Sequence, residues 1–206
     1  STPRELLDAA GVLPYRIRAL GSTERERADA VLSRFNCSYC RSCLQLGLQG
    51  DLDFLDGLIE TNGCDHLRGM FENWQHARPD GFFHYLRVPH LVNEETERAF
   101  SEELGLLRDA LARRYDAPLD DGALRAAVER QARLQRRLRR LLARRELDPP
   151  GLSGAEALAL VLLESALPLP VFEDLVDRAL AEPPARPAAP RARVVLGGSA
   201  TDALEL

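Results

Sequence analysis

Asp51-Leu-Asp-Phe-Leu-Asp-Gly-Leu-Ile-Glu-Thr-Asn-Gly-Cys64-Asp-His-Leu-Arg-Gly-Met-Phe-Glu-Asn-Trp74 is the stretch on which the reading of this chain turns. Its first part, residues 54–61, has the length and apolar content of a strand. Thr61 or Asn62 is placed to cap a helix, and residues 64–75 continue with helical spacing. A strand that passes through a short polar turn into a helix is the first half of a β-α-β unit. The second half follows at residues 82–88, Phe-Phe-His-Tyr-Leu-Arg-Val, closed by Pro89. Strands separated by a helix of this length pair in parallel, which predicts an α/β lobe.

Working upstream, residues 40–48 read as a helix stopped by Gly50, and residues 24–33 as another. Residues 12–19 read as a strand with Pro14 near its start, and residues 3–10 as a short helix with Thr2 and Pro3 at its entry. Downstream the pattern changes to helix after helix. Residues 93–115 carry Glu94, Glu95 and Glu97 in the first turns, where the helix dipole favours anions. Residues 120–146 hold an apolar stripe of Leu124, Ala127, Val128, Leu134, Leu138, Leu141 and Leu142. Ser153 with Glu156 three residues on is a capping-box signature, and a fourth helix follows Pro168 or Pro170. Residues 183–190 read as a semi-rigid linker. The run from Arg193 to Ser199 reads as a buried strand followed by glycines, as an α/β unit begins. The expected organisation is an α/β lobe over residues 1–92, a helical segment over 93–182, the linker, and the start of a second α/β lobe over 191–206. Both ends read as cut.

The 206 residues are enough for one sizeable core or two small ones. Apolar residues make up 45% of the chain and the net charge is −5, so no global basic field points to nucleic acid. All 27 basic residues are arginines. No apolar run reaches the ~18 residues that span a bilayer, and the N-terminus lacks the pattern of a secretory signal. The expectation is a cytoplasmic protein with no membrane or nucleic-acid partner, in a reducing setting where clustered cysteines favour metal or redox roles over disulfides.

There are four cysteines, Cys37, Cys40, Cys43 and Cys64. If residues 37–43 open a helix, the first three thiols share about a third of its circumference. Both Cys37 and Cys64 fall at predicted helix starts, which favour the thiolate, and ligands of open parallel sheets gather outside the carboxyl ends of strands. Three or four thiolates suit zinc or an iron–sulfur cluster, and the spacing favours neither. For Cys40 and Cys43 simple packing in a core is the competing reading.

The stretch from Asp51 to Trp74 resembles the signature of the 2-hydroxyacyl-CoA dehydratase/benzoyl-CoA reductase family. Other passages agree in order: residues 6–18, the motif Cys37-Ser-Tyr-Cys-Arg-Ser, the helical region from Asp120 to Leu152-Ser153-Gly154, and the run from Arg193 to Ser199. The resemblance implies a Rossmann/flavodoxin-like lobe followed by helices and a second lobe, with a [4Fe–4S] cluster held between lobes by three cysteines. Cys37 and Cys64 match the first two ligands, and the third lies in the second lobe. Cys40 and Cys43 depart from the motif as extra thiols, and Gln131 stands where the family often has Asn.

The chemistry so implied is radical. An ATP-dependent iron–sulfur activator protein delivers one electron, the acyl-CoA thioester is reduced to a ketyl, the 2-hydroxyl leaves, and the electron is recycled. The expected role is therefore an iron–sulfur subunit of a dehydratase-type lyase, paired with a homologous second subunit and inactive as a lone portion. A benzoyl-CoA reductase-like or double-cubane cluster reductase subunit, or a non-catalytic zinc or Fe–S module, are the alternatives. Around the thiols, Arg41, Asp65, His66 and Arg68 are candidates to orient the ligands or bond cluster sulfurs; capping by Asp65 and a surface place for Arg68 are the plainer readings. His76, His84 and His90 share no metal spacing. The arginines between Arg125 and Arg145 read as the solvated face of an amphipathic helix rather than as a nucleic-acid or phosphate site.

Overall fold

A computed structural model describes residues 2–19 and 23–184, which divide into two compact units. One runs over Ile17–Leu119; the other joins Arg4–Arg16 to the chain from Asp120 on. The change of pattern at residue 93 marks a change of secondary structure, whereas the compact units part between Leu119 and Asp120. The linker from residue 185 and the strand expected from Arg193 lie outside the described residues.

The first unit is the α/β one. Strands β1 (Gly57–Thr61) and β2 (Phe82–Leu86) pair in parallel, Gly57 opposite Phe82 and Thr61 opposite Leu86. Helix α4 (Asp65–Ala77) makes the crossover, and helices α2 (Glu26–Val31) and α3 (Ser38–Gln49) precede the sheet. Helix α5 (Glu94–Tyr115) packs on β2 and starts with a capping box in which Asn93 accepts from the Thr96 N–H while the Thr96 hydroxyl accepts from the Asn93 N–H. Helix α3 turns one face inward, Cys40, Cys43, Leu44 and Gly47, at the 3–4 residue spacing of a buried stripe. That face meets Leu32, Leu52, Met70 and Trp74. A Cβ on Gly47 would lie 2.7 Å from the Trp74 ring, so glycine lets α3 approach α4 this closely. Helix α3 stops at Gly50, whose φ of +100° suits the left-handed cap.

Residues 12–19 form no strand. Among the described residues the sheet has two strands, and residues 12–19 belong to neither. Pro14 has no N–H to offer a ladder, and the Arg16 N–H donates to the Ser165 carbonyl at 2.9 Å, a helix end.

In the second unit α1 (Arg4–Ala9) lies on α6 (Asp121–Leu142), which also packs on α8 (Leu169–Ala181); α7 (Gly154–Glu164) packs on α8. Helix α6 continues as a 3-10 turn over Ala143–Glu146. Its buried stripe is Ala127, Gln131, Leu134, Leu138 and Leu141. Val128 is 53% exposed, one position off that stripe. Leu134, Leu138 and Leu141 meet Leu160, Phe172 and Val176 in the core. Ser153 and Glu156 form the expected capping box of α7. The arginines of α6 divide by face. Arg125, Arg133, Arg136, Arg139 and Arg140 are exposed, while Arg130 and Arg137 both bond Glu173 on α8, at 2.7 and 2.9 Å. Arg144 donates to the Ala179 and Leu180 carbonyls at the end of α8. The planar guanidinium fork suits this stapling of helices.

Candidate metal centre

Helices α3 and α4 each begin at a cysteine. Cys37 is the N-cap of α3 and Cys64 the N-cap of α4, and neither side chain caps its own helix by a hydrogen bond. Their carbonyls accept the first helical bonds, from Arg41 N at 3.1 Å and Arg68 N at 3.2 Å. Cys37 is exposed and Cys64 half-buried, and no disulfide joins the four thiols. The unsatisfied N–H groups of a helix first turn favour anionic ligands beside them. Cys64 follows directly from the carboxyl end of β1, where open parallel sheets place their sites.

Cys40 and Cys43 sit in the core, 2% and 1% exposed. Burial pushes the Cys40 thiol up to about 12, reinforced by the nearby sulfurs of Cys37, Cys64 and Cys43 and by a hydrogen bond with Cys37. The two thiols at N-cap positions offer donors of the right chemistry for a thiophilic metal, and so fit part of a cluster's ligand set. They do not complete one: among the described residues no three His, Cys, Asp or Glu side chains are grouped to hold a metal ion.

The loop before Cys37 lies against α4. A Cβ on Gly69 would stand 3.1 Å from Leu32 and 3.7 Å from Asn36. His66 Nδ1, in the first turn of α4, donates to Asn36 Oδ1 at 3.0 Å, tying the residue before one capping cysteine to the helix opened by the other. Arg41 turns away from the thiols to a two-pronged pair with Asp29, at 2.6 and 2.5 Å. That guanidinium holds the Asp29 carboxyl below its ordinary range. Arg68 pairs with Glu72 at 2.9 Å on the exposed face and lies 6.0 Å over the Tyr85 ring. Asp65 is the first helical residue of α4, exposed, with Cys64 in the capping position.

Asn62 does not cap α4. Its Oδ1 accepts from Val88 N at 2.8 Å and its Nδ2 donates to Val88 O at 3.0 Å. The side-chain amide thereby mimics one more rung of the β1–β2 ladder and lets the backbone turn off towards Cys64. The sequence offered Asn62 as a possible helix cap but nothing to identify a partner 26 residues away. Glu60 was also missed: its carboxylate accepts from Thr61 N at 2.7 Å, and burial raises its pKa. His84 on β2 stacks on Phe82 at 6.4 Å, and burial lowers its pKa.

A parallel β-α-β lobe with cysteines capping two of its helices, joined in sequence to a helical unit, defines a thiol-bearing α/β protein. The 2-hydroxyglutaryl-CoA dehydratase D-component family matches residues 1–205, and the chain belongs to that family. It is 29% identical over 173 residues to a benzoyl-CoA reductase subunit of Thauera aromatica, covering 83% of this chain and 44% of that protein. It is 36% identical over 74 residues to the (R)-phenyllactyl-CoA dehydratase beta subunit of Clostridium sporogenes, covering 36% of this chain and 20% of that one. The beta subunit of (R)-2-hydroxyglutaryl-CoA dehydratase of Acidaminococcus fermentans is 35% identical over 78 residues, 38% of this chain and 21% of that subunit. The chain spans less than half the length of these relatives in each match. No helix among the described residues is long and apolar enough to cross a membrane.

Proposed function

We propose that this chain supplies two thiolate ligands, Cys37 and Cys64, to a [4Fe–4S] cluster in a subunit of a radical 2-hydroxyacyl-CoA dehydratase. The observation that carries the reading is the placement of both cysteines as helix N-caps within one α/β unit, near the buried Cys40. Bound there, the cluster would supply one-electron chemistry to an acyl-CoA thioester. A third thiolate is to be sought outside these 206 residues, since the relatives exceed the chain in length. This chain's own part is to present the two sulfurs, hold their backbones, and keep the thiol neighbourhood dry. Asn62 holds the turn before Cys64, the His66–Asn36 bond holds the approach to Cys37, and the core position of Cys40 excludes water behind them. Arg41, Asp65 and Arg68 have no direct part in this reading.

The cytoplasm is the proposed setting. A homologous second subunit and an ATP-dependent iron–sulfur activator are the proposed partners, and the substrate is a 2-hydroxyacyl-CoA thioester. Reduction of an aromatic acyl-CoA thioester is the second reading, favoured by the extent of the match to the benzoyl-CoA reductase relative. The test is anaerobic purification of the intact protein with iron, sulfide and zinc analysis and EPR. Cys37→Ala and Cys64→Ala should each abolish cluster binding, and Cys43→Ala should retain it. Colourless protein with stoichiometric zinc would sink the proposal, and turnover assays on 2-hydroxyacyl-CoA and aromatic acyl-CoA thioesters separate the two readings.

A further inference from the structure

The α/β unit carries a second polar feature that the thiols do not use. An open cleft of about 550 Å³ runs along α2, and its walls include Arg25, Glu26, Asp29, Arg34 and Arg41. Three arginines against two carboxylates leave these walls net positive, in a chain whose overall charge is −5. The guanidiniums come from three parts of the unit. Arg25 is the N-cap residue of α2, Arg34 lies in the loop after that helix, and Arg41 belongs to α3. Two of them are anchored. Arg25 Nε donates to the Oγ of Ser42, a side chain only 4% exposed, at 3.1 Å. Arg41 donates its two prongs to Asp29. Arg34 is exposed, and its guanidinium makes no hydrogen bond or ion pair among the described residues.

From this placement we propose that the cleft binds the diphosphate group of a small molecule. Each guanidinium carries five N–H donors, so one bond from Arg25 and two from Arg41 leave both with donors to offer. Phosphate oxygens accept paired bonds from a planar fork, and such charge-assisted bonds are about twice as strong as neutral ones. The bonds to Ser42 and Asp29 fix two forks before a ligand arrives, which lowers the cost of ordering them. Arg34 is the third fork and approaches from the solvent side. The cleft is larger than a single phosphate ion fills and falls within the range of small-molecule sites. Three forks from separate walls suit the oxygens of two linked phosphates. Asp29 and Glu26 set the ligand's charge, because a lone carboxylate adds little where Asp29 already supplies one, whereas a multiply charged diphosphate outweighs them. The inference does not depend on the reading of Cys37 and Cys64 as cluster ligands.

The test is calorimetric titration of the full chain with inorganic pyrophosphate at constant ionic strength. Saturable binding at one site is expected, and Arg34→Ala should weaken it about tenfold. Arg34 holds no partner among the described residues, so this variant should keep the wild-type circular dichroism and denaturation midpoint. Arg125→Ala, which removes an exposed arginine of the helical unit, should leave the affinity unchanged. ADP and coenzyme A, titrated separately, distinguish a free nucleoside diphosphate from the carrier of a thioester as the source of the diphosphate. Absence of saturable pyrophosphate binding overturns the proposal. So does an equal loss in Arg34→Ala and Arg125→Ala, which would mark a general attraction of anions to surface arginines. The readout needs neither a cluster nor turnover, so this inference and the proposed function can fail separately.

Discussion

In the α/β unit the core admits Cys40, Cys43, Ser42 and Gln45 beside Leu44, Met70 and Trp74. In the helical unit it is Leu134, Leu138, Leu141, Leu160, Phe172 and Val176, and Gln131 is its one buried polar side chain among the described residues. Buried polarity in the first unit is structural in detail. Gln45 accepts from the N–H groups of Arg27 and Ala28 at 2.9 and 3.1 Å, satisfying the first turn of α2. The second unit keeps its charges around the core, where Arg130 and Arg137 share Glu173 and Arg4 pairs with Glu164. The contrast teaches that one core admits thiols and amides among its apolar residues, while the other is a scaffold of apolar helices stapled by arginine.

The largest expected effect probes the scaffold. Leu134 is fully buried on α6, and Leu134→Ala should cost about 2–5 kcal/mol, read as a lower denaturation midpoint by circular dichroism. A loss near zero would show that α6 is not the spine of the helical unit. Next comes Gly47→Ala, where the added Cβ would meet the Trp74 ring and cost about 1–3 kcal/mol. Trp74 is the chain's single tryptophan, so its fluorescence reports the α/β unit selectively. An unchanged emission transition would contradict the close α3–α4 approach.

A smaller effect sharpens the account of the strand exits. Asn62→Ala removes both bonds to Val88 and should cost about 1–2 kcal/mol, with faster amide exchange at Val88. Unaltered exchange there would show that the turn before Cys64 is held by something else. The smallest effect is electrostatic. Burial raises the Glu60 pKa above its ordinary 4.5, so the folded state holds this proton more tightly than the unfolded state. Stability from Glu60 is therefore full below 4.5 and falls as pH rises through the raised folded value. Glu60→Gln, which keeps an acceptor for Thr61 N, should be more stable than the wild type at about pH 7 and lose that advantage below about pH 4.5. A constant difference across that range would rule out ionisation as the cause.

The β1–α4–β2 unit was legible because each part has a local signal: an apolar run, a polar turn, a helical spacing, and a second run closed by Pro89. The capping box at Ser153 and Glu156 was legible for the same reason, since both partners lie within one turn. Residues 12–19 looked equally strand-like, but a strand exists only where a neighbour supplies a ladder. The thiol site was legible in part. The positions of Cys37 and Cys64 at helix starts followed from the pattern, whereas their relation to His66, Asn36 and Asn62 depends on bonds spanning 26 and 30 residues.

By itself the sequence determined the order of elements, the helix starts that carry the two capping cysteines, and the resemblance that points to the family, because these are local or linear properties. The tertiary structure decided that Cys40 and Cys43 are core residues and that Arg41 is taken by Asp29. It also decided that Arg130 and Arg137 are staples rather than solvated charge. Each of those outcomes depends on which surface a helix buries, and that is set by neighbours distant in the chain, not by the residue's own spacing.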